Sequence, residues 1–269
     1  MIEITSSKNP LIKEIKALSR KRDRWENKLF VMEGIKIIDE AIENNVNIKN
    51  IFYSDRLLSN NDGWCFLDKI RDMRNLIYVD DKIFSEISDT ENSQGVLATG
   101  NFLSNNIDNL SDNSEQFLIF LNSLQDPGNM GTIIRSADAF NISGIIIGER
   151  CVDPYNPKVV RATMGSLFRM PLYFIHDDIG TINSLKNKGY KIYATSLEES
   201  TSNYDINYEG KFVIIIGNEA NGVNERLINV SDMRIKIPIP GHAESLNAGV
   251  AASIVMYEVM KQQAKNLEF

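Results

Sequence analysis

Three stretches in the C-terminal half of the chain bring together side chains that could do chemistry. The first is Asn122-Ser-Leu-Gln-Asp-Pro-Gly-Asn-Met-Gly-Thr-Ile-Ile-Arg-Ser-Ala-Asp138, where Asp126-Pro-Gly128 signals a turn and Asn129 or Gly131 can open a helix that carries Arg135. The second is Gly217-Asn-Glu-Ala-Asn-Gly222, a single carboxylate held between glycines. The third is Ile237-Pro-Ile-Pro-Gly-His-Ala-Glu-Ser-Leu-Asn-Ala-Gly-Val-Ala-Ala-Ser253, a polar cluster that runs into a stretch of small residues. Together they offer amide, carboxylate, guanidinium and hydroxyl groups beside exposed backbone, which suits a polar, nucleoside-like ligand held largely through main-chain hydrogen bonds. Gly128-Asn-Met-Gly131 is not G-x-G-x-x-G, no G-x-x-x-x-G-K-[ST] occurs, and no G-x-S-x-G elbow is formed. Dehydrogenase, nucleotide-hydrolase and esterase readings therefore lose their usual support. Each group also has an ordinary use: Ser245 or Asn247 as a helix cap, Arg135 as an ion-pair partner of Asp138, Glu219 as a surface turn.

The elements that must position these loops are legible in the apolar runs before them. Apolar runs lie at 117–121, 144–147, 190–193, 212–216 and 235–237, several of them near-continuous in Ile, Val and Phe, as expected of a parallel sheet covered on both faces. Helical spacing falls between them at 129–141, 156–167, 180–189 and 222–229, and a last helix is expected from Leu246 to Lys265. In such sheets ligands sit beyond the carboxyl ends of the strands, where the three loops lie. Pro238 and Pro240 cannot donate to a ladder, so strand pairing should stop there.

The first 102 residues read as a smaller α/β domain. Strands are expected at 29–32, 50–53, 76–79 and 95–98, and helices at 34–45 and 64–74. One helix is expected over 8–28, carrying Lys8, Lys13, Lys16, Arg20, Lys21, Arg22, Arg24 and Lys28. Clustered cations of this kind are either a solvated helix face or a set of phosphate contacts. Residues 103–116 are polar and weakly periodic and read as a linker, giving domains at 1–102 and 117–269.

Composition bounds the function. The chain has 269 residues, 43% hydrophobic and 24% charged, with a formal net charge of −7. No apolar run reaches the roughly 20 residues of a membrane span, and the N-terminus lacks the pattern of a signal peptide. Two isolated cysteines and two histidines give no metal-ligand spacing, so no metal site is expected and a reducing cytoplasm is.

At these residues the chain resembles the SpoU (TrmH-type) RNA ribose methyltransferases of the SPOUT superfamily. Asn122…Asp126-Pro-Gly-Asn129…Gly131…Arg135-Ser-Ala resembles that family's first motif, Ile216-Gly-Asn-Glu219-Ala-Asn-Gly222 its second, and Ile237-Pro-Ile-Pro…Glu244-Ser-Leu-Asn247 its third. Ser7-Lys-Asn-Pro10, Phe30-Val-Met-Glu-Gly34 and Ser93-Gln-Gly-Val96 are similar, more loosely, to the ribosomal-protein-like substrate-binding domain of many rRNA members. Ala248-Gly249 departs from the bulkier residue and serine that many members carry.

The resemblance implies a parallel-sheet domain with a deep trefoil knot, preceded by a small α/β RNA-binding domain. It implies S-adenosylmethionine gripped near Thr195, Gly217, Asn218, Gly222, Ile237, Pro238 and Leu246. Asn129, Arg135, Glu219, Ser245 and Asn247 would form the catalytic surround, with Arg135 as base or phosphate anchor. RNA contacts are expected at Lys8, Lys13, Arg20, Arg22, Arg24 and Arg161. The implied activity is 2′-O-methylation of a ribose in RNA, rRNA before tRNA, by a homodimer joined through its C-terminal domain, with the small residues at the start of the last helix serving close packing. A non-catalytic RNA-binding protein of the same fold and an RNA base methyltransferase are the rival readings; the Ser245-Leu-Asn247 pattern disfavours the second.

Overall fold

The structure, a computed structural model, describes residues 2–59, 61–103, 105–110 and 113–264. The chain divides into two compact units, Met1–Leu103 with Asp153–Phe168, and Ser104–Val152 with Arg169–Phe269.

The first unit holds β1 (Ile2–Ile4), α1 (Pro10–Ala17), α2 (Lys21–Asn27), β2 (Leu29–Glu33), α3 (Ile35–Glu43), β3 (Ile48–Tyr53), α4 (Asn61–Ile70), β4 (Leu76–Val79), α5 (Asp81–Ile87) and β5 (Val96–Asn101). Its mixed sheet has the order β1-β4-β3-β5-β2. The β1–β4 and β4–β3 pairs are parallel, and β5 runs antiparallel to both its neighbours. The four expected strands are present; β1 and α5 were not anticipated, because a three-residue strand and a two-turn helix leave little periodicity to read.

The single helix expected over 8–28 is two helices. Asn9 caps α1 by accepting from the Leu11 N–H at 2.9 Å, with Pro10 in the first turn. After Leu18 the backbone leaves the helix, and Arg20 is extended. The break is held by Arg24, whose Nη1 donates to the Leu18 and Ser19 carbonyl oxygens, both at 2.8 Å. Its other nitrogens meet Asp153: Nε donates at 2.8 Å and Nη2 lies 2.7 Å away. Arg24 is 2% exposed, so it is withdrawn from the expected RNA-binding face. A buried guanidinium survives only when its charge is paired and its donors are satisfied, and both conditions are met here.

Asp153 also accepts from the Tyr155 N–H at 3.0 Å. Tyr155 stacks on Phe102 at 3.9 Å between ring centroids, and its hydroxyl donates to the Leu103 carbonyl at 3.0 Å. Asp153–Phe168, including α7 (Pro157–Thr163), thus completes the first unit from a distance in sequence.

The second unit holds β6 (Gln116–Leu121), α6 (Pro127–Ala139), β7 (Gly144–Ile147), β8 (Leu172–Phe174), α8 (Asp178–Asn187), β9 (Lys191–Thr195), β10 (Thr201–Ser202), β11 (Lys211–Ile216), α9 (Glu225–Val230), β12 (Met233–Lys236) and α10 (Ala248–Ala264). All strands of its seven-stranded sheet are parallel, in the order β10-β12-β9-β11-β6-β7-β8. β6 and β7 are buried at every residue, as the continuous apolar runs require. The expected strands appear within a few residues; the short β8 and β10 were not foreseen. β12 stops at Lys236, before the first proline. α10 is described to Ala264, and Lys265 lies outside the described residues. The expected linker is not wholly free: Ile107 and Leu110 pack against the core of this unit.

α10 runs parallel to α6 in rungs four residues apart. Thr132 faces Gly249, where an added Cβ would meet it at 3.2 Å; Ser136 and Ser253 hydroxyls lie 2.7 Å apart; Phe140 and Tyr257 meet edge to face at 6.0 Å. Ala248, Gly249 and Ala252 are buried. Their smallness therefore serves packing within the chain.

The Arg24–Asp153 pair predicts the response to its loss. Arg24→Leu leaves a buried carboxylate without a counter-charge and should destabilise the first unit by about 3–5 kcal/mol. Both tryptophans, Trp25 and Trp64, lie in this unit, so urea unfolding followed by tryptophan fluorescence measures the effect directly.

Candidate active site

The polar loops follow the carboxyl ends of β6, β11 and β12, and the first two are in direct contact. In the first, Asp126 is the N-cap of α6 and accepts from the Asn129 N–H at 2.7 Å, with Pro127 at the first helical position. This capping pattern was present in the sequence and would have fixed the helix start two residues earlier than expected. Capped in this way, α6 presents Asn129 at its first turn, only 6% exposed.

Asn129 Nδ2 donates to Glu219 Oε1 at 2.8 Å. This joins the first loop to the second across 90 residues of sequence. Partial burial pushes the Glu219 carboxyl up. The Asn129 hydrogen bond outweighs that, together with backbone amides of Glu219, Gln125 and Asp126, and holds it below its ordinary value. Glu219 is accordingly ionised at neutral pH. Because Nδ2 is committed to the carboxylate, Asn129 turns Oδ1 away as a remaining acceptor.

The second loop is pinned at its neck. Asn218 and Gly222 exchange both backbone hydrogen bonds at 2.9 Å. Asn218 Oδ1 accepts from the Ala220 N–H at 2.9 Å and its Nδ2 donates to the Ser123 carbonyl at 2.9 Å. A Cβ at Gly217 would lie 2.1 Å from the Gly222 carbonyl carbon, so no other residue fits. Gly222 sits at φ +66°, in the left-handed region. Thr195 closes the end of β9 against β11, its hydroxyl donating to the Ile215 carbonyl at 2.9 Å.

Arg135 is exposed on α6. Asp138, the ion-pair partner of the alternative reading, is engaged by Arg169 at 2.8 Å, and among the described residues Arg135 has no acidic partner. In the third segment, Asn247 caps α10: its Oδ1 accepts from the Val250 N–H at 3.2 Å and its carbonyl from the Ala251 N–H at 2.8 Å. Ser245 and Pro238 are exposed, and Ile237 and Leu246 half-buried. Among the described residues no hydrogen bond engages residues 238–245. Asn129, Glu219, Asn218 and Gly217 are thus brought together by direct contact. Arg135, Ser245 and Asn247 make no hydrogen bond to them.

The expected RNA contacts lie in the first unit. Lys8 and Lys13 are exposed. Arg20 pairs with Asp23 at 2.6 Å, Arg22 with Glu26 at 2.7 Å and Arg161 with Asp89 at 2.7 Å. Adjacent acids thus engage much of the cationic run. Among the described residues no cluster of His, Cys, Asp or Glu could hold a metal ion, and no helix is long and apolar enough to cross a membrane.

Asn129→Ala removes a hydrogen bond that lowers Glu219 and leaves the burial that raises it. The carboxyl midpoint should move upward, and a carboxylate titration by NMR measures the shift.

Residues 116–257 match the SpoU rRNA Methylase family, and residues 9–98 match the MRM3-like substrate binding domain. The 23S rRNA (guanosine(2553)-2'-O)-methyltransferase RlmP of Bacillus subtilis is 29% identical over 264 residues, 96% of this chain and 99% of that protein. The AdoMet-bound rRNA methyltransferase of Sinorhizobium meliloti is 30% identical, with a TM-score of 0.85 over 99% of this chain and 98% of that one. AviRb of Streptomyces viridochromogenes, crystallised with AdoMet, shares the fold at 24% identity, with a TM-score of 0.85 over 96% of this chain and 99% of that one. With residues 116–257, more than half of the chain, matched by the family and 99% of its length by the Sinorhizobium meliloti structure, the chain belongs to the SpoU rRNA methylase family.

Proposed function

We propose that this protein methylates a ribose 2′-hydroxyl in RNA, with large-subunit rRNA as substrate and S-adenosylmethionine as methyl donor. The observation that carries the reading is the Asn129–Glu219 pair, set between two loops of family-matched sequence. Residues 238–245 support the cofactor assignment, since a run of main chain without internal hydrogen bonds suits a ligand held by backbone. Gly217, Asn218, Gly222, Thr195, Ile237, Pro238 and Leu246 would hold the cofactor, which when bound supplies an electrophilic methyl on a positively charged sulfonium.

The remaining work falls to side chains of the chain itself. Asn129 Oδ1, oriented by ionised Glu219, accepts from the ribose hydroxyl and aims its oxygen. Arg135 stays protonated in any such setting, so its part is to anchor a phosphate and stabilise developing charge. Ser245 and Asn247 line the same rim; Asn247 combines this with capping α10. Substrate RNA is recruited by the first unit through Lys8, Lys13, Arg20, Arg22 and Arg161.

The trefoil knot belongs to this reading and is supported by topology. β12 stands three places from β6 in the sheet, yet α10, which follows it, packs along α6, which follows β6. The intervening chain must cross the ends of β9 and β11, beside residues 217–222. A homodimer through α10 is supported by Val250, Ile254 and Tyr257, exposed apolar residues on one helix face. Two free thiols, Cys65 and Cys151, accord with a cytoplasmic enzyme.

The test is methyl transfer from labelled S-adenosylmethionine to unmodified rRNA and tRNA, followed by alkaline hydrolysis. Label in alkali-resistant dinucleotides from rRNA is the expected result; label in mononucleotides would place the methyl on a base and overturn the assignment. Asn129→Ala and Arg135→Ala should each lower kcat by on the order of 100-fold with circular dichroism unchanged. Ile254→Asp should shift the protein to monomer in sedimentation velocity.

A further inference from the structure

Asn122 follows the last residue of β6 and is 4% exposed, yet none of the roles above falls to it. It grips both feet of the loop that carries Glu219. Its backbone N–H donates to the Ile216 carbonyl at 2.9 Å, just before Gly217. Its side-chain Oδ1 accepts from the Asn224 N–H at 3.0 Å, just after Gly222. Between these points the neighbouring Ser123, at φ +58°, offers its carbonyl to Asn218. The far end of the amide is equally fixed. Asn122 Nδ2 donates to Asp178 Oδ2 at 3.2 Å, while Asp178 Oδ1 accepts from the Glu149 N–H at 3.2 Å. A carboxylate can only accept, so it compels Nδ2 to face α8 and leaves Oδ1 for Asn224.

We propose that Asn122 is a positioning residue for the reaction: oriented by Asp178, it clasps both feet of residues 217–222 and so sets Glu219 against Asn129. The proposal rests on the reading of Asn129 and Glu219 as part of the catalytic surround.

Asn122→Asp supplies the test, because it keeps the shape and the acceptor for Asn224 while setting a second carboxyl against Asp178. Burial already pushes Asp178 up, with hydrogen bonds from the Glu149 N–H and Asn122 opposing it and the charges of Glu149 and Asp177 adding to it. Arg150, His176 and Arg226 line the same cleft and face the pair from the β7 loop, the β8 loop and α9. Two carboxyls at this spacing share a proton, and with that proton the hydrogen bond is remade; without it they repel. The kcat of Asn122→Asp relative to the unsubstituted enzyme should therefore be near one at acid pH and fall as pH rises, reaching a loss on the order of 10- to 100-fold. Combining Asn122→Asp with Asp178→Asn restores donor to acceptor across the same gap, and the ratio should become flat and high again. A pH-independent ratio in Asn122→Asp, or no rescue by the double exchange, overturns the proposal. Should Asn129→Ala and Glu219→Ala both turn over normally, the catalytic reading itself fails, and the two failures are told apart.

Discussion

Every strand of the second sheet points the same way, and that constraint shapes the site. A parallel ladder forces the chain back along a helix after each strand, so all carboxyl ends and the helix starts that follow gather at one rim. Loops from residues 122–126, 217–222 and 237–247 meet there although the sequence keeps them far apart. The rim is crowded, and the crowding explains its residue types. Gly217 has no room for a Cβ, and Asp126, Asn218 and Asn224 use short side chains to satisfy backbone donors that the turns would otherwise leave unpaired.

What results is a site whose polar groups hold one another in place. Asn129 is aimed by Glu219, Glu219 is kept ionised by Asn129 and by backbone amides, and the loop bearing Glu219 is tied to the end of β6. In the proposed reaction such mutual restraint would let a weak nucleophile be oriented without rearrangement of the protein. Arg135 stands apart as an exposed charge with no acidic partner among the described residues, open to a phosphate.

The sequence disclosed the second unit well because its central strands β6, β7 and β11 are nearly continuous apolar runs, and no helix of ordinary amphipathicity reads that way. It disclosed the three loops because prolines and glycines punctuate them. It failed where the cause was distant. The continuous run of lysines and arginines over 8–28 looks like one helix, and only Asp153, 129 residues from Arg24, reveals why it breaks. The small residues of α10 announce a close neighbour without naming it; the neighbour is α6 of the same chain. Asn122 was visible as a residue of the first loop, but its use depends on Asn224 and Asp178, which no local pattern links to it.

The return of Asp153–Phe168 to the first unit bears on how the chain is made. Residues 1–103 emerge from the ribosome well before the aspartate that neutralises Arg24 and the tyrosine that covers Phe102. During that interval the nascent unit carries an uncompensated interior charge, and closing the contact demands a loop spanning two strands of another sheet and the helix between them. High sequence separation of this sort slows folding and lengthens exposure of apolar surface. The N-terminal unit is thus not a self-sufficient module: its completion waits on synthesis of β6, α6 and β7, and the two halves of the protein are obliged to mature together.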